Sequence, residues 1–200
     1  MSKRDGFGHE SPNDGKTNDW ITPRPIIRAF DLFGQKYLHF KAQEHYFDLD
    51  PCQSKTQPWP CASSGFTVDE DGLRQPWVGT VWCNPPYGRQ TSEWIERLAQ
   101  HDDGVALVFA RTDTRWWQDL VFPFSDSVLF LKSRVRFARP NGVTPNNSAG
   151  APSALIAFGE VNTLALKWLI MRGLLEGALT ETTNSSIDYQ SLTEYPRRPR

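Results

Sequence analysis

Apolar residues along this chain fall into two rhythms that predict alternating strands and helices. Val81-Trp82-Cys83 and Gly104-Val105-Ala106-Leu107-Val108-Phe109 are unbroken apolar runs, the pattern of strands covered on both faces. His45-Tyr46-Phe47-Asp48-Leu49-Asp50 alternates as a strand does and ends on a polar group, Asp50, followed by Pro51 and Cys52. Phe66 to Leu73 reads as a short strand running into the acidic turn Asp69-Glu70-Asp71-Gly72, and Ser127 to Phe137 and Ala154 to Phe158 read as two more. Helical spacing appears between them. Thr22 as N-cap and Pro23 at the first helical position precede Ile26, Ile27, Phe30 and Leu32. Trp94, Ile95, Leu98 and Ala99 mark a second helix, with Thr91 or Ser92 as its cap, and Trp116, Trp117 and Leu120 a third. Asn162 caps a last one that carries Leu164, Trp168, Met171 and Leu175. Gln53–Gly65 and Pro140–Pro152, rich in proline and small residues, are loops. Strands alternating with helices predict an α/β domain built on a mainly parallel central sheet with helices on both faces.

Composition narrows this picture without redirecting it. Two hundred residues with eight tryptophans suit one domain with a sizeable core, flanked by a flexible arm over 1–18 and a polar tail over 178–200, so that the domain runs over 19–177. The net charge of −1 gives no overall attraction to a polyanion. Basic residues nevertheless gather locally, at Arg111, Arg115, Lys132, Arg134, Arg136 and Arg139, and a strand carrying Arg134 and Arg136 points both to one side, as a phosphate-contacting face or simply a solvated one. The cysteines, Cys52, Cys61 and Cys83, lack C-x-x-C spacing, so neither zinc nor a disulfide framework is expected. No apolar leader opens the sequence, and Lys167 and Arg172 interrupt its one leucine-rich run, which makes a reducing cytoplasm the expected compartment.

The chemistry concentrates in Asn84-Pro85-Pro86-Tyr87, placed at the carboxyl end of a strand, where open α/β sheets bind ligands. The lone pair of an aryl or amide NH2 is delocalised, so its nitrogen becomes nucleophilic only when acceptors draw both hydrogens toward a pyramidal geometry. The Asn84 side-chain oxygen accepts one and the Pro85 carbonyl the other, while Pro86 keeps the loop stiff. Both oxygens also face the positive charge that builds on nitrogen as a methyl group arrives. Tyr87 offers a ring on which a flipped base stacks, worth roughly 1–3 kcal/mol, and Gly88 lets the chain turn away.

The ordered set Asp19-Trp20-Ile21-Thr22-Pro23, Asp48-Leu49-Asp50-Pro51-Cys52, Asp71-Gly72-Leu73, Trp82-Cys83-Asn84-Pro85-Pro86-Tyr87-Gly88 and Arg111-Thr112-Asp113-Thr114 with Trp116 or Trp117 closely resembles the phage-type DNA N6-adenine methyltransferases. The resemblance runs from about Asp19 to Gly159. It implies a Rossmann-like class I methyltransferase fold and transfer of a methyl group from S-adenosylmethionine to N6 of adenine in double-stranded DNA, in a bacteriophage or restriction–modification setting. It assigns Asn84, Pro85, Pro86 and Tyr87 to the target adenine. Trp20, Thr22, Pro23, Asp50, Pro51, Asp71 and Asn84 fall to the cofactor, with Asp71 for the ribose hydroxyls. Arg111, Arg134 and Arg136 fall to DNA, and no metal is called for. One departure is clear: Pro51-Cys52-Gln53-Ser54 stands where many methyltransferases carry a glycine-rich G-x-G loop.

The residues leave other substrates open. N4 of cytosine, an RNA adenine and a protein glutamine amide all present the same planar NH2. A glutamine-directed enzyme predicts a glycine-rich cofactor loop and an added substrate domain, and neither is visible. Cys52 as nucleophile for carbon-5 methylation leaves the tetrad without a purpose. A non-catalytic DNA-binding module using tryptophans and the basic stretch predicts binding without methyl transfer.

Overall fold

The computed structural model describes residues 20–182 except 43 and 147, so the expected N-terminal arm and most of the expected tail lie outside the described residues. Its centre is a seven-stranded sheet of β1 (Leu49–Asp50), β2 (Ser64–Gly65), β3 (Val81–Cys83), β4 (Gly104–Phe109), β5 (Ser127–Leu131), β6 (Ser153–Phe158) and β7 (Gly177–Glu181), in the order β2-β1-β3-β4-β6-β5-β7. Helix α1 is Arg24–Tyr37, α2 is Thr91–His101 and α4 is Glu160–Met171, while Trp117–Val121 forms a π-helical turn running into the short α3, Phe122–Phe124.

Burial on both faces explains the unbroken apolar runs. Along β4, Val105 and Leu107 pack on the α1 and α4 side, whereas Ala106 and Val108 pack on the α2 and π-helical side. Each fully buried Val or Leu contributes about 1.5–3 kcal/mol. Phe33 and Tyr37 of α1 meet Trp168 of α4 with ring centroids 5.7 and 5.6 Å apart, which joins the two helices over one face. Residues 162–169 of α4 are all buried because the helix is covered on every side rather than along one stripe.

The expectation of a mainly parallel sheet needs correction. Pairings β2–β1, β1–β3 and β3–β4 are parallel, but β4–β6, β6–β5 and β5–β7 are antiparallel and carry the longer ladders. The cause is topological. After β5, which runs with β4, segment 132–152 returns the chain so that β6 inserts between those two strands and must oppose both. Helices on both faces are present as expected.

Several element boundaries differ for identifiable reasons. The strand expected over 45–50 shortens to β1 because the Tyr46 amide donates to Asp31 Oδ1 (2.9 Å) instead of joining a ladder. Pairing with β1 begins at Ser64, inside the expected loop, and 67–73 is built of turns. The strand expected over 127–137 stops at Leu131, although 134–138 stays extended and alternates exposed with buried until Ala138 joins Phe137 inside. Thr22 is not an N-cap: Pro23 holds that position, and the Thr22 hydroxyl accepts from Trp82 Nε1 at 3.2 Å. Asn162 lies inside α4, whose N-cap is Gly159 with φ 88°. The expected tail begins late, since Ala178–Glu181 belongs to edge strand β7.

Candidate active site

Chain order reverses beside β1, which has β2 on one flank and β3 on the other. Such a switch point opens a crevice at the strands' carboxyl ends, and there Asp50 closes β1 while Asn84 follows β3. A cavity of about 490 Å³ occupies this place, within the usual size of a small-molecule site. Trp20, Thr22, Asp50, Pro51, Asp71, Asn84, Pro85, Pro86 and Tyr87 all line it. Pro23 does not, because it is committed to the start of α1.

Local hydrogen bonds fix the tetrad. Asn84 Nδ2 donates to the Trp20 carbonyl at 2.5 Å, which orients the side-chain amide, and Asn84 Oδ1 accepts from the Tyr87 hydroxyl at 3.2 Å. An amide oxygen has two lone pairs, so one acceptor site remains. Among the described residues no hydrogen bond to the Pro85 carbonyl is formed, whereas the Pro86 carbonyl accepts from Thr91 Oγ1 (3.1 Å), which itself accepts from the Gly88 amide (3.1 Å). Thr91 therefore fastens the loop to α2 instead of capping by side chain, and Gln90 holds the N-cap position. The Tyr87 ring stacks on Phe109 with centroids 4.2 Å apart and planes 17° apart, and meets Phe137 edge-on at 5.8 Å. Burial pushes the Tyr87 hydroxyl well above the usual tyrosine range, so it stays a donor at neutral pH.

Asp50 is the electrostatic centre of the cavity. It is 4% exposed, and burial pushes its carboxyl up to about 6, offset in part by the Cys52 amide at 3.2 Å and by the nearby Gln57 side chain. Among the described residues no cation pairs with it. Gln57 Nε2 lies close enough to favour the carboxylate yet makes no formed hydrogen bond, and Trp94 Nε1 is likewise buried without a partner. A buried carboxylate without a counter-ion, with unused donors around it, suits a ligand that brings its own positive charge and several acceptors. S-adenosylmethionine is such a ligand, and the residues present fit it.

Two further segments shape the walls. Gly72 presses on Pro51 so closely that a Cβ would lie 1.8 Å from the Pro51 carbonyl oxygen, which brings the acidic turn to the cavity edge. Asp71 there has φ 53° and is ion-paired with Arg74 at 3.1 Å, both side chains being largely exposed. On the other side Ile21 and Ala138 exchange backbone hydrogen bonds of 3.0 and 2.9 Å, holding Trp20 and Thr22 against the cavity.

The arginines are less uniform. Arg136 is exposed next to Phe137, and Arg111 is half-buried with its guanidinium 5.9 Å from the Phe109 ring. Because Phe109 stacks on Tyr87, Arg111 lies near the tetrad, whereas Arg136 is exposed on the side of its segment opposite Phe137. Arg134 instead donates to the carbonyls of Ala149 and Gly150 at 3.3 and 3.1 Å, so its charge partly serves the following loop. Among the described residues no group of three or more His, Cys, Asp or Glu is gathered as a metal centre requires.

Sequence reasoning missed Phe109 and Phe137 beneath Tyr87, and Gln57, Leu73 and Trp94 in the wall. Trp94 was open to discovery, since it lies in the first turn of the helix that follows the tetrad. Phe137 was not, because nothing local signals that segment 134–138 pairs with Ile21.

No curated protein and no solved structure matches the chain. The family described as DNA N-6-adenine-methyltransferase (Dam) matches residues 11–169. That span contains the crevice, the tetrad and the helices on both faces of the sheet, and it selects adenine in DNA over the other planar amines. The chain therefore belongs to the DNA N-6-adenine-methyltransferase family, enzymes that transfer a methyl group from S-adenosylmethionine to N6 of adenine.

Proposed function

We propose that the cavity between the ends of β1 and β3 is where this enzyme methylates DNA, with Asn84 and Pro85 gripping the adenine amine. The observation that carries the reading is the pair of acceptors: Asn84 Oδ1, aimed by the Nδ2 bond to Trp20, and the neighbouring Pro85 carbonyl, which has no protein donor among the described residues. In this reading the two oxygens take the two N6 hydrogens, turn the lone pair out of the ring and stabilise the charge developing on nitrogen. Neither oxygen is basic enough to keep a proton, which passes to water after transfer. Tyr87, backed by Phe109, stacks on the flipped base and offsets part of the few kcal/mol that flipping costs.

Bound S-adenosylmethionine supplies a methyl group on a sulfonium, a leaving group that needs no further activation. Asp50 holds the cationic end of that ligand, the segment Trp20–Thr22 and Pro51 wall it, and Asp71 accepts from its ribose hydroxyls. Arg111 and Arg136 meet backbone phosphates at the rim, with Arg134 as a weaker contact. The five strands β1 to β5 run in one direction and the crevice lies at the switch point, which supports a Rossmann-like methyltransferase sheet despite its antiparallel half. One methyltransferase domain beginning near Asp19 and extended by β7 to Glu181 accounts for the family match and the sheet together. Free thiols at Cys52, Cys61 and Cys83 suit a reducing bacterial or phage-infected cytoplasm.

The test is transfer from methyl-labelled S-adenosylmethionine to genomic DNA by wild-type protein and Asn84→Ala, followed by nucleoside analysis. Label in N6-methyladenine that depends on Asn84 supports the assignment; label in N4-methylcytosine, or equal rates for the two proteins, overturns it.

A further inference from the structure

Cys52 lines the cavity, and Cys83 meets it from behind the wall. Cys52, two residues past Asp50, and Cys83, the last residue of β3, place their sulfurs 4.0 Å apart. Cys83 is fully buried, while Cys52 is half-buried and lines the cavity, so a small oxidant that enters the cavity reaches Cys52 first. The Asn84 backbone amide lies beside Cys52 Sγ and favours its thiolate form, so this sulfur neighbours the backbone of the amine-binding residue.

We propose that Cys52 and Cys83 form an oxidisable thiol pair, closed to a disulfide by peroxide entering the cavity, and that closure switches methyl transfer off. The loss of activity rests on the amine-site reading above; the bond itself does not. In the first step Cys52 Sγ attacks a peroxide oxygen, the O–O bond breaks, and sulfenic acid and water are formed. Cys83 Sγ then attacks the Cys52 sulfur and hydroxide leaves, taking the Cys83 proton as water. Two electrons pass from the thiols to one peroxide. Bonding distance is about 2 Å, against 4.0 Å between the free thiols, so the ends of β1 and β3 are drawn together, Cys52 Sγ moves relative to the Asn84 backbone, and the acceptor pair shifts against the cavity wall. Thiolate supply limits the rate: burial pushes the Cys52 thiol well above its ordinary range, so closure is slow at neutral pH and faster in alkali.

The experiment exposes the full-length protein to a graded excess of hydrogen peroxide. Intact mass and non-reducing peptide mapping then follow the bond, and methyl transfer is read before and after dithiothreitol. The expected result is a species lighter by the two hydrogens lost, with residues 52 and 83 in one linked peptide. At least ten-fold loss of transfer should accompany it in proportion, and reductant should restore it. Cys83→Ser should abolish both the linked peptide and the reductant-reversible part of the loss, measured against that variant's own untreated rate, and Cys61→Ser should retain both. Absence of a linked 52–83 peptide in the wild-type protein overturns the pair whatever the variants do. A linked peptide with an unchanged transfer rate overturns the switch and counts against the amine-site reading, whereas unlinked thiols with an intact enzyme leave that reading standing.

Discussion

Two buried polar clusters sit at opposite ends of the same strands, and they are built to opposite rules. At the amino ends of β3 and β4, Tyr46 donates to Asn162 Oδ1 (2.8 Å), Asn162 Nδ2 donates to Asp103 Oδ1 (2.9 Å) and the Phe158 carbonyl (2.7 Å), and Thr80 donates to the other Asp103 oxygen (3.2 Å). Every hydrogen of the Asn162 amide is used, so the cluster holds the sheet to α4 and has nothing left for a ligand. At the carboxyl ends, among the described residues, Asp50 has no cation, Gln57 and Trp94 keep unused donors, and the Pro85 carbonyl accepts from none. Completed networks stabilise the fold; incomplete ones mark where it expects a guest.

The sharpest way to break this contrast is Asn84→Ala. It should lower the single-turnover transfer rate by 100-fold or more, the size of effect seen when one transition-state hydrogen-bonding group is removed, with cofactor affinity by calorimetry within a few-fold. Equal losses in both would merge the acceptor role with cofactor binding.

Asp50→Asn should act in two directions. Cofactor affinity should fall at least ten-fold, while the ligand-free protein melts at higher temperature, because a buried uncompensated carboxylate is removed. The pH dependence follows from the same group. Its folded pKa of about 6 lies above the ordinary aspartate value of 3.8, so its contribution to stability is full below about 4 and lost as pH rises through about 6, up to about 3 kcal/mol in all. In the proposed reading cofactor binding requires the carboxylate, and it should weaken as pH falls through about 6. Melting and calorimetric titrations across that window check both slopes, and Asp50→Asn should flatten each.

At the closed cluster, Asn162→Ala should cost roughly 1–3 kcal/mol in a urea titration by removing the acceptor of the Tyr46 hydroxyl and the Nδ2 donor to Asp103. Its kcat per folded molecule should stay within two-fold of wild type; a larger change would show that the two ends are coupled. The smallest effect is expected at the rim, where Arg136→Ala should weaken DNA binding a few-fold and reduce the salt dependence by about one ion.

Local structure was legible in the sequence wherever one short segment carries it. Val81–Cys83 and Gly104–Phe109 are strands as their apolar runs indicate, and all but one of the residues assigned to adenine or cofactor line a single cavity. What could not be read depends on partners far along the chain. The antiparallel half of the sheet follows from β6 inserting between β4 and β5, a choice that no local pattern encodes. Thr22 has every mark of a helix cap, but a buried indole 60 residues away competes for its hydroxyl and wins. Arg134 and Arg136 do share a side, as alternation requires, yet only contact with Ala149 and Gly150 separates their duties.

The pairing of Ile21 with Ala138 carries a consequence for how the enzyme comes into being. A ribosome releases Asp50 and Asn84 long before it reaches Ala138, and until then Trp20 and Thr22 have their bonds to Asn84, Trp59 and Trp82 but not the strand pairing that braces them against the cavity. A half-made chain thus owns its chemical groups but not the chamber that unites them, and competence arrives only when translation is well past its midpoint.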